Sequence, residues 1–255
     1  MRQESTLVNY FVSSVQRSDV PQIVRARDFY LYTKGGKRLV DLWQYGGRTI
    51  LGHKSSSIVK EIKNSIERGL FLPLPSIYEQ RFLKALKLLF GENFFCTASD
   101  TVCRNCSGES ERLPVWRAFF KFDGGTTKTF RAILPCPICP DIIVTSEVNQ
   151  SAQGNLQLAP YILSAAARSI YDLLSSKERG NVNYKKINAA IGNNNNFTQS
   201  GIYITHNSIE AEYKTMFLKF LEAGFFLPPN LYDPIILPPT LSTGEQTKLL
   251  GLFES

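Results

Sequence analysis

The chain has 255 residues, 43% of them apolar and 12% aromatic, with 29 Lys and Arg against 22 Asp and Glu and a net charge of +7. That composition excludes disorder as a description of the whole chain, and it supplies the apolar material for one large domain or two small ones. No apolar run reaches the roughly 20 residues of a membrane helix, and the first twenty residues lack a signal-peptide core. Five cysteines is an odd number, in a chain long enough to fold without disulfides. The expectation is a cytoplasmic protein from a reducing compartment, with no membrane partner. Residues 1–90 hold 15 Lys and Arg against 7 Asp and Glu, whereas residues 91–255 hold 14 against 15. In the basic part the cations sit singly between apolar residues, as in RFLKALKLLFG, which is the pattern of solvated helix faces. No nucleic-acid partner is therefore expected.

Residues 22–41 alternate apolar and polar around Gly35–Gly36, which predicts two strands and a tight turn. From Ser55 the pattern turns helical, with Ile58, Ile62, Ile66 and Leu70 recurring every four residues. Pro73 and Pro75 break that helix. A second helix starts near Ser76, gathers Phe82, Leu83, Leu86, Leu89 and Phe90 on one face, and stops at Gly91. Residues 115–122, 129–134 and 141–147 read as strands. Residues 156–174 read as a helix with Pro160 in its first turn. Residues 176–200, with four consecutive asparagines at 193–196, read as a polar surface connection. GIYITH (201–206) reads as a strand. A helix capped by Ser208 follows, with Ile209, Tyr213, Met216, Phe217 and Phe220 on one face and Gly224 at its end. A short strand near Ile235–Leu237 and a helix from Ser242–Thr243 complete a chain of α/β or α+β class.

The run FYLYTKGGKRLVDLWQYGGRTILGHKSSSIVKEIKNSIERGL (29–70) resembles the opening of class III aminotransferases, pyridoxal-phosphate (PLP) enzymes of fold type I. The matching features are the glycine turn Gly35–Gly36, Asp41, the loop glycines Gly46–Gly47 and the pair Gly52–His53. The run FLEAGFFLPPNLYDPIILPPTLSTGEQTKLLGLF (220–253) resembles the end of the same family's small domain. The resemblance implies that the two ends pack together as that small domain, with a much reduced large domain between them. It implies segments 1–90, 91–175 and 176–255, and a homodimer. In the resembling enzymes the loop bearing Trp43, Tyr45, Gly46 and Gly47 borders the active-site entrance. With His53 these residues form the candidate ligand pocket, the alternative being that Trp43 and Tyr45 fill core or interface.

The middle departs from the family pattern. Where the family carries its phosphate-binding Asn-Ser-Gly-Ser/Thr-Glu-Ala motif, this chain has Thr97, Ala98, Ser99 and Asp100, and Asp100 would repel a phosphate. The family's Asp-Glu-Val/Ile motif, whose acid keeps the pyridine nitrogen protonated, has no counterpart, since no Asp-Glu pair occurs in the chain. The stretch similar to the Schiff-base lysine motif is PDIIVTSE (140–147), with Glu147 at the lysine's place. No arginine stands before Pro238–Pro239 for a substrate carboxylate. The resulting expectation is a non-catalytic aminotransferase-like binding or interaction module, without catalytic residues or cofactor, and with a partner protein on surfaces the reduced large domain leaves open. The alternative is a working PLP transaminase, rebuilt or completed by a partner chain, with Lys121 and Lys128 as its candidate lysines.

Cys103-Arg-Asn-Cys106 and Cys136-Pro-Ile-Cys139 form two Cys-x-x-Cys pairs with 29 residues between them. Four thiolates so paired would close a tetrahedral zinc site, and such a staple on the basic half would give a zinc-stabilised nucleic-acid binder. The alternative is that these are small buried apolar side chains.

Overall fold

A computed structural model describes residues 15–91, 95–99, 113–120, 129–146, 156–207 and 210–254. The N-terminal elements are β1 (Ile23–Arg27), β2 (Tyr30–Thr33), β3 (Arg38–Asp41), α1 (Ser56–Glu67) and α2 (Ile77–Phe90). The middle contains β4 (Phe95–Ser99), β5 (Val115–Arg117), β6 (Thr129–Ile133), β7 (Ile142–Thr145), β8 (Leu156–Gln157) and α3 (Pro160–Ser175). The C-terminal elements are α4 (Lys185–Asn193), β9 (Phe197–Ser200), β10 (Tyr203–His206), α5 (Glu210–Ala223), β11 (Phe225–Phe226), β12 (Ile235–Ile236) and α6 (Thr243–Phe253). The class is mixed α/β, as the sequence implies.

Two units divide the chain. One runs to Gly46 and resumes at Gly180, and the other is Gly47–Arg179. Helices α1 and α2 thus group with the middle of the chain rather than with the segment ending at residue 90. The reason is their packing on α3, where the fully buried hydroxyls of Ser65 and Ser164 meet at 2.9 Å.

The first unit holds a sheet of order β1-β2-β3-β11 and a smaller one of order β12-β10-β9. Residues 22–41 contain three strands where the alternation predicts two. Asp28, at φ +51°, makes an extra turn between β1 and β2, in addition to the turn at Gly36 (φ +79°). Between the two sheets and their helices lie the fully buried Tyr203, Tyr213, Phe217, Phe220, Phe225 and Phe253. Helix α4 and strand β9 occupy the stretch expected to be a connection. Ile187, Ala190 and Ile191 bury one short face of α4, and three apolar residues in so polar a run give little periodic signal. Helix α6 starts on a capping box in which Glu245 N–H donates to Ser242 Oγ and Ser242 N–H donates to the Glu245 carboxylate.

The second unit holds a sheet of order β5-β6-β7-β4-β8, in which β7 runs antiparallel to both neighbours. One face, with Phe130, Ala132, Ile142 and Val144, packs in one apolar cluster with Phe82 and Ala85 of α2 and the alanines of α3. Alternation sends Thr129, Arg131, Ile143 and Thr145 to the other face, where they are half-buried. Phe82 is fully buried at the centre of the helical layer. Phe82→Ala is expected to cost about 3–5 kcal/mol, read as a lowered urea midpoint at unchanged slope.

Candidate functional site

In the first unit the candidate pocket residues sit where β3 gives way to a left-handed turn. Asp41 is buried, and its Oδ1 accepts the backbone N–H of Trp43 at 2.9 Å and of Gln44 at 3.0 Å. Gln44, Tyr45, Gly46 and Gly47 then follow with φ of +47°, +51°, +65° and +107°. Two of these are not glycine, and the left-handed region costs such residues roughly 1–2 kcal/mol each. Two side chains hold the turn. The Trp43 indole N–H donates to Asp233 Oδ2 at 3.0 Å, and the Gln44 amide donates to the Ile236 carbonyl at 3.2 Å. Gln44 Oε1 is buried and accepts no hydrogen bond. A Cβ at Gly46 would lie 3.5 Å from Asp233 Oδ1, so the loop backbone runs close over that carboxylate. Trp43 and Tyr45 meet edge to face at 5.3 Å, both half-exposed.

The segment that carries Asp233 is itself anchored. Tyr213 donates its hydroxyl to Pro228 O at 2.6 Å, and the His206 ring stacks on Tyr213 at 4.4 Å. Burial pushes the Tyr213 hydroxyl well above its usual range, and the Asp233 charge adds to the shift. Burial also lowers the His206 pKa, opposed by the backbone at Leu231.

The structure therefore gathers Trp43, Tyr45 and Gly46 around Asp233, while Gly47 and His53 belong to the other unit. Asp233, Gln44 and Asp41 are parts of this arrangement that the sequence reading did not assign. Asp233 stands within the 220–253 run, five residues before Pro238, but nothing local pairs it with Trp43.

In the second unit the Cys136–Cys139 stretch makes a turn, with Cys139 N–H donating to Cys136 O at 3.1 Å. Both side chains are buried in the apolar cluster. Burial raises the Cys136 thiol to about 11, against the lowering effect of the Ile138 and Cys139 amides and of Arg48. Burial alone raises Cys96 to about 12. Cys103 and Cys106 lie outside the described residues. Among the described residues no three His, Cys, Asp or Glu are arranged to hold a metal. Nearby, Asp141 pairs with Arg48 and lies 3.6 Å from Arg131 Nε.

No protein-family model matches the chain. An uncharacterized protein of Borreliella burgdorferi is 24% identical over 241 residues, covering 89% of this chain and 88% of that one. A glutamate-1-semialdehyde 2,1-aminomutase of Clostridium acetobutylicum is 29% identical over 84 residues, 33% of this chain and only 18% of that enzyme. Among solved structures, Plasmodium falciparum ornithine delta-aminotransferase matches with a TM-score of 0.66 at 10% identity, covering 91% of each chain. A glutamate-1-semialdehyde aminomutase of Pseudomonas aeruginosa matches with a TM-score of 0.62 at 12% identity, covering 92% of this chain and 86% of that one. The chain has an aminotransferase fold.

An aminotransferase fold implies PLP, whose chemistry needs a lysine amine at the sheet. Strands β4 to β8 carry no lysine among them, and Lys54, Lys60, Lys63, Lys84 and Lys87 are all exposed, just before α1 or on α1 and α2. Thr97, Ala98 and Ser99 form the end of β4. Asp100, Lys121, Lys128 and Glu147 lie outside the described residues. No helix among the described residues is long and apolar enough to cross a membrane.

The depressed His206 pKa has a definite pH consequence. The unfolded chain takes up that proton near the ordinary value of 6.5 and the folded chain only at lower pH. Stability is therefore complete above about pH 6.5 and falls as the pH drops below it. His206→Phe, which keeps an aromatic ring on Tyr213, is expected to flatten the decline in thermal midpoint between pH 7 and pH 5.5.

Proposed function

We propose that this aminotransferase-fold protein binds rather than transaminates, and that it works in the cytoplasm as a homodimer. The observation that carries this reading is the lysine-free sheet of the second unit, taken with the sequence that flanks it. The stretch similar to the lysine motif leads to Glu147, and the place of the phosphate-binding motif ends in Asp100. Schiff-base chemistry needs the amine, the pyridinium partner and the phosphate cup together, and no one of them is present at its place in this sequence. The ligand pocket in this reading is the turn of Trp43, Tyr45 and Gly46 over Asp233. Two half-exposed rings and a carboxylate there offer an amphipathic contact surface.

Incubation with PLP, followed by visible absorption, borohydride reduction and peptide mapping, tests the reading. The expected outcome is no saturable band above 400 nm and only scattered modification of exposed lysines. One stoichiometric reducible adduct on a single lysine, with Lys121 and Lys128 the first to examine, would establish the PLP transaminase instead.

A further inference from the structure

In the first unit, the larger sheet has one face built of arginines and tyrosines. Opposed residues of neighbouring strands share a face, as do residues two apart along a strand. The register sets Arg25 opposite Tyr32, Tyr32 opposite Arg38 and Arg27 opposite Tyr30, so all five lie on this face. Leu31 and Leu39, on the other face, are buried. Two guanidiniums lie over two rings, Arg38 at 4.5 Å from the Tyr30 centroid and Arg25 at 5.3 Å from that of Tyr32. The two pairs differ in one respect. The first already binds a carboxylate of its own chain: Arg38 Nη2 donates to Glu245 Oε1 at 2.9 Å and the Tyr30 hydroxyl donates to Oε2 at 3.4 Å. Among the described residues, no acid pairs with the Arg25 side chain or the Tyr32 hydroxyl.

The surroundings of Arg25 and Tyr32 select the chemistry of a partner. Arg25, Arg27 and Lys34 are exposed. Asp28 pairs with Arg27 at 3.4 Å, but both side chains are more than half exposed, so water screens that pair and leaves the charge of Arg27 available. Ile23 and Val24 of the same strand are 38% and 65% exposed and add apolar contact area. Nucleobases bind such faces by stacking on open aromatic rings, and here guanidiniums already lie over both rings. A carboxylate instead needs the N–H fork at the edge of a guanidinium, which stacking on a ring leaves open. We propose that the Arg25–Tyr32 pair, with Arg27 beside it, is the docking point for an acidic segment of a partner protein. A partner carboxylate there takes the place on Arg25 and Tyr32 that Glu245 takes on Arg38 and Tyr30. This contact does not depend on the turn of Trp43 and Tyr45.

Fluorescence anisotropy of a labelled Gly-Glu-Val-Glu-Val-Glu-Gly peptide, titrated with the full chain at low salt, tests it. Arg25 is exposed, so Arg25→Gln and Arg25→Glu should keep the wild-type circular dichroism and thermal midpoint. Lys63→Gln, on the exposed side of α1, is the control. The expected result is saturable binding of the acidic peptide and none of its counterpart with glutamine for glutamate. Affinity is expected to be about tenfold or more weaker in Arg25→Gln, abolished in Arg25→Glu and unchanged in Lys63→Gln. No saturable binding by the wild type, or binding that Arg25→Gln leaves unchanged, would overturn the proposal. Binding of a short oligothymidylate in place of the peptide, lost in Arg25→Gln, would also overturn it and assign the face to single-stranded nucleic acid.

Discussion

The parallel pairing of Phe225–Phe226 with Val40–Asp41 is what makes one unit out of the two ends of this chain. Parallel neighbours cannot be joined by a tight turn, so the partner of β3 has to come from elsewhere in the sequence. It comes from the far end. Val40 N–H donates to Gly224 O and Leu42 N–H to Phe226 O, both at 2.9 Å, and Ile236 N–H donates to Leu42 O at 2.7 Å. Closing so long a loop costs little more than closing a moderate one, because the entropy grows only with the logarithm of length. The burial of Leu39, Val40, Phe225 and Phe226 offsets that cost. Gly224, at φ +100°, permits the sharp exit from α5 into β11. The Lys37 ammonium donates to the carbonyls of Leu221 and Glu222 at 2.8 and 2.7 Å, so β2–β3 also caps the end of α5.

The strained turn after β3 follows from that pairing. Once β3 is fixed beside β11, Asp41 is buried at its end, and the carboxylate needs donors close by. The N–H groups of Trp43 and Gln44 meet that need only if the chain doubles back at once, which brings Gln44 and Tyr45 into the left-handed region. Two contacts to the C-terminal part then hold what local preference disfavours, Trp43 to Asp233 and Gln44 to Ile236. A turn held in this way presents Trp43 and Tyr45 in one arrangement without a ligand. Such an arrangement lowers the ordering cost of any later contact. The unmatched Gln44 Oε1 is the remaining polar cost of the turn.

What could be read from the sequence depended on how local the cause was. Helices α1 and α2 follow their apolar patterns and α2 stops at the expected Gly91, whereas α1 already ends at Glu67, before Gly69 at φ +71° and short of the expected break at Pro73; α6 begins on the expected Ser242 cap. The family likeness was legible in the glycine turn, Asp41 and the Pro-Pro segment, because backbone geometry constrains those residue types. Three features were not legible. The turn at Asp28 lies in a run that still alternates. Helix α4 buries only Ile187, Ala190 and Ile191 within a polar stretch. Strand β8 precedes Pro160 in a run that reads as continuous helix. The partnership of Trp43 with Asp233 had no sequence signal at all, since it depends on β11 pairing with β3. The division of the chain likewise turns on α1 and α2 packing against α3, which no local motif announces.

The second unit shows what holds the sheet-and-helix layer of this aminotransferase fold together. Its cohesion comes from one sheet face and three helices. Phe130, Ala132, Ile142 and Val144 pack with Phe82, Ala85 and the alanines of α3, and Cys96, Cys136 and Cys139 fill the same cluster as small apolar groups. None of these side chains needs a cofactor to be satisfied. The opposite face pairs its polar groups internally, Thr129 with Thr145 at 2.7 Å and Arg131 with Asp141 at 3.6 Å. A buried lysine amine would be costly in such a layer unless a partner neutralised it. The apolar packing that specifies this layer thus lies on one face of the sheet, and the pairs Thr129–Thr145 and Arg131–Asp141 lie apart from it.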